Sequence, residues 1–437
     1  MTVKWTGPFR LSDDERDIVW IEEGARVTVS DGWVFTDRVE LRGLEGGKVE
    51  RSFYRSGFKR DYDAEGRSFL SNAIARMIRS GMFASDRVAR FLKQGGPEAV
   101  LAELDRMQTN SSYVKRAYYS ALLKQADPQP PVLGQILERA ARDITSDYDK
   151  ATVFVQVLNE SAASDDHRVA VARAARHVGS DYEQRKVLTA SLAKEPLSEA
   201  VATAAIETAG SVDSSYDRGI VLGDLARKGA VTAHTSPAFM AAVSGMSSDY
   251  ERRKVLAALA GSATLPEVVA IEAVKATTAL SSAYEQRQAL SAYMARGDSS
   301  AKIAAATLGS ASNISSSHDK AEVLLEVVHK GGVTDETSSA FFAAAATITS
   351  SYDLSRVLRA VAARPGLSDG LLSGLLRTAA SISSSHDKAT LLLEIVRTQT
   401  LSPVSRQLLL DAAQGISSSD DQNRVLAELV RSERRGR

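Results

Sequence analysis

A four-residue motif (serine, any residue, tyrosine, then aspartate or glutamate) recurs ten times with small variations along this chain of 437 residues. The second copy begins 35 residues after the first, and each later copy begins 34 residues after the one before it. Such a fixed period indicates structural units that stack on their neighbours and share one continuous core. We call the third place in the motif the aromatic position, and it is occupied by Tyr113, Tyr148, Tyr182, Tyr216, Tyr250, Tyr284, His318, Tyr352, His386 and Asp420.

The motif predicts the start of a helix. A serine stands two residues before the aromatic position in all ten copies, and an acid stands one residue after it in nine, with Val114 as the exception. This spacing resembles a capping box, in which the serine hydroxyl accepts a hydrogen bond from the N–H of the first turn and the acid reaches back to the serine N–H. An acid there also favours the positive end of the helix. We therefore expect every motif to begin a helix.

A second helix is predicted before each motif. Alanine stands seven residues before the aromatic position in seven copies, and a larger apolar residue stands four residues before it in nine. Small residues let two helices approach closely, and larger ones fill the space at the turn. One unit alone cannot bury these faces. The pattern therefore predicts a mainly α fold, an α-solenoid of about ten two-helix repeats across residues 109–437.

The first 62 residues follow a different pattern. Apolar and polar residues alternate in Arg26–Ser30 and in Trp33–Thr36, and the Asp31-Gly32 pair between them is a strong signal for a β-hairpin. Further strands are predicted at residues 17–22, 38–42, 48–54 and 57–62. We expect a small antiparallel β meander over residues 1–62.

From residue 63 onward the apolar residues recur with a helical period. Helices are predicted at residues 64–80, 85–92 and 97–107, with Gly81 suited to the end of the first. We expect residues 63–108 to form a helical adaptor between the meander and the repeats.

The period of 34 residues equals that of tetratricopeptide repeats, but the Trp/Leu-Gly/Tyr signature of that class is missing. A HEAT-like or other helical-hairpin solenoid fits better. The run Ser247–Leu256 resembles a bacterial repeat region that occurs behind membrane metallopeptidases of the β-lactam-sensor class and in uncharacterised bacterial proteins. The segment Arg10–Asp17 and the meander after it are similar as well, so the resemblance covers nearly the whole chain. It implies a bacterial accessory module and transfers no catalytic residue, because the chain has no His-Glu-x-x-His motif and no transmembrane segment.

Composition excludes several kinds of site. The 54 basic and 54 acidic residues give a net charge of zero, which argues against a protein built chiefly to hold nucleic-acid backbones. The absence of cysteine excludes disulfides, thiolate zinc sites and cysteine nucleophiles. The six histidines have no convergent ligand spacing. We expect no catalytic residue, no metal and no cofactor.

Two runs of Ser-Ser-Ser-His-Asp, Ser315–Asp319 and Ser383–Asp387, invite a hydrolase interpretation. Successive residues of a helix point about 100° apart, so neighbours cannot line up as a Ser–His–Asp relay. The overlapping Ser-x-x-Lys patterns lack the partner motifs of their enzyme class. We interpret both runs as the capping motif with histidine at the aromatic position.

The column of aromatic positions is the feature with an open functional interpretation. On a helical wheel these positions lie away from the core stripe, beside the basic residues three and four places later. In one interpretation each ring is a spacer that packs on the next unit, with its polar tip bonded to a loop. In the other, the column is a ladder that lines a groove for an acidic peptide or a partner helix. The candidate ladder consists of Tyr148, Tyr182, Arg185, Tyr216, Tyr250, Arg253, Tyr284, Arg287, His318, Tyr352 and His386.

Two function classes remain open. The first is a non-enzymatic scaffold that binds a protein or peptide partner through the extended solenoid surface. The alternative is a nucleic-acid-binding solenoid, since HEAT-like DNA glycosylases are similar in fold but depend on an aromatic cradle and a basic concave face. No apolar run has the length of a signal peptide or a membrane span, so we expect a cytoplasmic protein. The sequence does not indicate an oligomeric state.

Overall fold

The computed structural model describes residues 1–32, 37–107, 109–159, 163–297 and 300–435, with side chains up to residue 432. The fold is mainly helical, with a small antiparallel sheet near the N-terminus. The chain divides into two compact units, Met1–Ala162 and Ala163–Arg437. The boundary between these units lies inside the predicted repeat region, 109–437. The domain boundaries predicted after residues 62 and 108 rest on changes in the sequence pattern, and they stay predictions. Among the described residues, no helix combines the length and the apolar character needed to cross a membrane.

The N-terminal unit contains seven strands within its described residues. Five form an antiparallel sheet in the order β1-β4-β5-β6-β7, and β2 pairs with β3. The strands are β1 Thr2–Thr6, β2 Phe9–Leu11, β3 Ile18–Ile21, β4 Arg26–Asp31, β5 Asp37–Gly43, β6 Val49–Arg55 and β7 Phe58–Arg60.

The strands predicted at 17–22, 38–42, 48–54 and 57–62 are confirmed as β3, β5, β6 and β7. The predicted strand Trp33–Thr36 lies outside the described residues. β4 pairs with β1 on one side and with β5 on the other, where Val29 lies opposite Val39 and Val27 opposite Leu41. These side chains and Phe53 of β6 are buried.

One helix covers the buried face of this sheet. It is α1, Ala64–Arg79, and its first turn is capped by Asp63, whose carboxylate accepts the Glu65 N–H at 2.8 Å. Leu70, Ile74 and Met77 of α1 belong to the same core as the sheet residues. The stripe of apolar residues that predicted this helix therefore forms its packing face.

The remaining helices of this unit follow the predicted pattern. The helices predicted at 85–92 and 97–107 form one element, α2, Ala84–Met107, which is broken at Gly95 and Gly96. Gly96 has φ 64°, a left-handed conformation that favours glycine. Three helices follow: α3 Ser112–Ala126, α4 Pro130–Asp143 and α5 Asp147–Asn159.

The second unit consists of helices in pairs, each pair made of a first helix and a helix that begins at a sequence motif. The first helices are α6 Asp165–Ala174, α8 Glu199–Ala209, α10 Ser236–Ser244, α12 Glu267–Ala276, α14 Ala301–Ala311, α16 Ser338–Ala346, α18 Asp369–Ala379 and α20 Pro403–Gln414. The motif helices are α7 Asp181–Ser191, α9 Ser215–Arg227, α11 Asp249–Ala260, α13 Ala283–Met294, α15 Ser317–His329, α17 Ser351–Ala362, α19 Ser385–Thr398 and α21 Ser419–Arg435.

Helices of the same kind pack on one another along this unit. First helices contact the next first helix from α6 through α20, and motif helices contact the next motif helix from α7 through α19 to α21. The leucine six residues after the aromatic position fills the core between them. It is fully buried in seven successive repeats, at Leu188, Leu222, Leu256, Leu290, Leu324, Leu358 and Leu392.

Candidate functional site

The serine that begins each motif caps its helix as predicted. The Ser214 hydroxyl accepts the Asp217 N–H at 3.2 Å, and the Ser350 hydroxyl accepts the Asp353 N–H at 3.2 Å. The same bond occurs in all ten copies, so the first half of the predicted capping box is confirmed. We call these residues the cap serines: Ser111, Ser146, Ser180, Ser214, Ser248, Ser282, Ser316, Ser350, Ser384 and Ser418.

The second half of the capping box is wrong in seven of the ten copies, where the N–H of the cap serine donates to a side chain of the preceding repeat. Ser214 N–H donates to Asp181 Oδ2 at 2.9 Å, and Ser282 N–H donates to Asp249 Oδ2 at 2.9 Å. We call the acceptor, which stands immediately before the aromatic position, the link residue. In five other repeats the link residue is a serine, whose hydroxyl oxygen accepts the N–H of the next cap serine: Ser112, Ser215, Ser317, Ser351 and Ser385.

The acid that follows the aromatic position is thereby free to bind another partner. Arg185 Nε donates to Asp217 Oδ1 at 2.6 Å, and Arg253 Nε donates to Glu285 Oε2 at 2.5 Å. In each pair the arginine stands three residues after the aromatic position of one repeat, and the acid belongs to the next repeat. Arg287 with Asp319 and Arg116 with Asp149 form the same ion pair, at 2.8 and 3.2 Å.

The same arginines lie over the tyrosine rings of their own helices. The guanidinium carbon is 4.9 Å from the ring centroid in Arg185–Tyr182, 5.1 Å in Arg253–Tyr250 and 5.3 Å in Arg287–Tyr284. Cation–π attraction favours this stacking. We call Arg116, Arg185, Arg253 and Arg287 the stacking arginines. Each therefore fixes a ring and joins two consecutive repeats.

The tyrosines and histidines of the ladder lie on the surface, whereas its arginines Arg185, Arg253 and Arg287 are only 20–24% exposed. The ladder tyrosines are exposed over 53% of their area at Tyr250 and up to 64% at Tyr352. His318 and His386 are exposed as well. Each tyrosine ring is therefore partly covered, as Tyr216 is by Lys254 of the next repeat, and more than half of it is accessible.

Of the ladder residues, one lies in the N-terminal unit and the others lie in the second unit. Tyr148 lies in the N-terminal unit, where Arg116 is 5.1 Å from the ring centroid of Tyr113 and 5.9 Å from that of Tyr148. The second unit carries the other ladder residues, with four tyrosines in successive repeats: Tyr182, Tyr216, Tyr250 and Tyr284.

A set of buried polar residues was missed by sequence reasoning. Two residues after the aromatic position, Arg218 is 6% exposed and Lys320 is 5% exposed. Arg218 donates to the carbonyls of Val212 at 2.7 Å and Ala242 at 3.1 Å, and Lys320 donates to that of Thr347 at 3.2 Å. Burial lowers the pKa of Lys320 and of Arg218. We call these long side chains the buried donors; they tie a motif helix to the C-terminal end of the next first helix.

The signal for the buried donors was visible in the spacing. A long hydrogen-bonding side chain stands two residues after the aromatic position in nine of the ten copies, with Leu354 as the exception. Lys388 donates to the carbonyls of Ala380 and Gly415, and Gln286 donates to that of Ser310. Helix C-termini attract cations and donors because their last carbonyls are unpaired.

The residues of a Ser-Ser-Ser-His-Asp run have separate partners. In the first run the Ser316 hydroxyl caps the helix, His318 is exposed, and Asp319 pairs with Arg287 of the preceding repeat. They are not assembled as a relay. Throughout the part of the chain that the structure describes, no group of three or more His, Asp or Glu residues is placed to hold a metal ion.

No family model matches the chain, and neither the curated proteins nor the solved structures contain a significant match to it.

Proposed function

We propose that this protein is a non-enzymatic scaffold, an α-solenoid of HEAT-like repeats that binds a protein or peptide partner through its tyrosine ladder. The observation that carries the proposal is the shared exposure of the ladder tyrosines, each of which is more than half exposed at the same place in its repeat. Tyrosine is among the residues that contribute most to binding energy at protein interfaces. In the second unit, four successive repeats each provide one such accessible ring, at Tyr182, Tyr216, Tyr250 and Tyr284.

The stacking arginines prepare these rings for binding. A ring already held by a guanidinium loses less conformational freedom when a partner arrives, and this smaller entropic cost favours affinity. Tyr182 is held by Arg185, and Arg185 is itself held by Asp217. Order in one repeat thus depends on the next, as is typical of solenoids whose units contact only their neighbours.

Contacts between consecutive repeats support the solenoid part of the proposal. The link residue, the buried donor and the stacking arginine each join one repeat to the following one, for example through Asp181, Arg218 and Arg253. Their regular recurrence is what a quasi-one-dimensional array requires. In line with the family resemblance, we infer a bacterial accessory module.

The charges of the ladder do not favour nucleic acid. Phosphate binding needs cations that are available to release counterions. Arg185, Arg253 and Arg287 each have a carboxylate oxygen of the next repeat within 2.8 Å. Their charge is largely neutralised inside the protein, so the scaffold is the better-supported function.

Affinity capture from the parent organism tests the proposal. The bait is the full chain, compared with a triple variant carrying Tyr182→Ala, Tyr250→Ala and Tyr284→Ala. A matched control replaces exposed residues of first helices, with Glu207→Ala, Lys275→Ala and Arg377→Ala. We expect the control to retain partners that the tyrosine variant loses. Recovery of the same partners by both variants would exclude the ladder as the binding surface.

A further inference from the structure

We propose that the ladder of the second unit binds a proline-rich segment in the polyproline II conformation. This inference rests on the proposed scaffold function and names the chemical class of its partner. It begins from the spacing of successive rings. Lys254 Nζ lies 6.0 Å from the ring centroid of Tyr216 and 5.2 Å from that of Tyr250.

The two centroids can be no farther apart than the sum of those distances, about 11 Å, which agrees with the roughly 8–10 Å between packed helices. Polyproline II has three residues per turn and a rise of about 3.1 Å, so equivalent side chains recur every ~9.3 Å. Side chains on one face of a β-strand recur every ~6.7 Å, which does not fit one contact per repeat. A polyproline II segment can therefore contact one ring with each turn.

An α-helix has residues on one face every seven positions, about 10.5 Å apart, so spacing alone does not exclude it. Its recognition, however, needs a continuous apolar groove. Here the rings are separated by ion pairs, such as Arg185–Asp217 and Lys254–Glu251 at 2.6 and 3.0 Å. Isolated flat rings in a polar setting suit single proline rings better than an apolar helix face.

The charges of the ladder favour an uncharged partner. The stacking arginines Arg185, Arg253 and Arg287 are paired with carboxylates, which leaves little unbalanced positive charge to attract an acidic peptide. A run of prolines has no charge, so its approach requires no desolvation of unpaired ions.

The tyrosine hydroxyls are available to donate hydrogen bonds to a polyproline II segment. Within the described part of the chain, the hydroxyls of Tyr182, Tyr216, Tyr250 and Tyr284 make no hydrogen bond to another protein group. Polyproline II has no internal hydrogen bonds, so its carbonyls remain able to accept. Four successive rings span three intervals, on the order of 27 Å, which matches about nine residues of such a segment.

Fluorescence anisotropy with a dye-labelled decaproline peptide and the full-length protein tests the proposal. We expect saturable binding that weakens at least about tenfold in the Tyr216→Ala, Tyr250→Ala double variant, since each ring is an anchor. The Tyr216→Phe, Tyr250→Phe variant keeps both rings and should weaken binding less than the alanine variant does, because only the hydroxyl bonds are lost. Circular dichroism of each variant establishes that it is folded.

Three further peptides of equal length separate this inference from the scaffold function: alternating Gly-Ser, poly-Glu, and an amphipathic Leu/Lys helix. Equal binding of decaproline and Gly-Ser, absence of decaproline binding, or identical affinity of the alanine variant overturns the inference. If poly-Glu or the helix binds in a ring-dependent way while decaproline does not, the proline assignment is wrong and the scaffold function stands. The affinity-capture experiment tests the scaffold function separately. That function fails if the triple tyrosine variant captures the same partners as the wild type.

Discussion

Arg185 and Asp217, 32 residues apart in sequence, are joined by a hydrogen bond of 2.6 Å between Nε and Oδ1. The same guanidinium lies 4.9 Å from the ring centroid of Tyr182. One side chain thus orients an exposed ring and ties two repeats together. We expect both the stability of the second unit and the orientation of the Tyr182 ring to depend on this contact, and the two effects can be tested apart.

The arginine–acid contact should contribute to stability. Arg253 and Glu285 are only 23% and 15% exposed, so removing the arginine leaves a largely covered carboxylate without its partner. We expect Arg253→Gln to lower the free energy of unfolding in urea by about 1–2 kcal/mol. The double variant with Glu285→Gln should recover part of this loss, and strictly additive effects would show that the pair is not coupled.

The link residue predicts a stabilising substitution. Ala283 occupies this place in the sixth repeat and has no side-chain oxygen to offer residues 315 and 316, whereas Asp249 binds the N–H groups of Ser281 and Ser282. Ala283→Ser should raise the free energy of unfolding by about 0.5 kcal/mol, because it supplies the missing acceptor.

Ala292→Ser, in the last turn of the same helix, is the control and should lower stability slightly, since serine is the poorer helix former. Equal effects of the two serines would refute the assigned role of the link residue.

The buried donors should produce a dependence of stability on pH. Burial lowers the pKa of Lys320 below its ordinary value of 10.5. Between the lowered value and 10.5 the unfolded chain binds more protons than the folded chain, so stability rises with pH in that window. The Lys320→Met variant should lack this rise of the free energy of unfolding with pH. Urea titrations at several pH values up to 10.5 measure the difference between wild type and variant, and a constant difference contradicts the assignment.

Nucleic acid should not bind the ladder. Because the stacking arginines are neutralised by carboxylates, we expect no salt-sensitive retardation of duplex or single-stranded DNA at micromolar protein. Arg287→Ala should leave this result unchanged. Retardation that weakens with salt and with Arg287→Ala would show that these cations are available to phosphate.

The parts of the fold that depend on local sequence were predictable. Ten serines at a fixed spacing predicted ten helix starts, and each hydroxyl makes the expected bond because an N-cap needs only its own first turn. Alternating apolar residues likewise predicted β5 and β6. The fully buried leucines, such as Leu256, followed from helical periodicity.

The contacts between repeats were not predicted correctly from the sequence. The acid of the motif was predicted to reach its own cap serine, but Asp217 pairs with Arg185 because Asp181 already binds the Ser214 N–H. Arg218 and Lys320 were missed because their partners in the next repeat are backbone carbonyls, so the recurrence of a long polar side chain at this position does not by itself reveal what it binds. Exposure of the tyrosines also depended on how adjacent repeats pack, which periodicity within one helix cannot determine.

Photo-crosslinking in the parent organism tests the central claim most directly. The photoreactive amino acid p-benzoylphenylalanine replaces either Tyr216 on the ladder, which is 57% exposed, or Val268 on a first helix, which is 51% exposed. We predict a discrete crosslinked partner from the Tyr216 site and none of that partner from the Val268 site. No crosslink at Tyr216, or the same products from both sites, would contradict the claim that the tyrosine ladder is the binding surface.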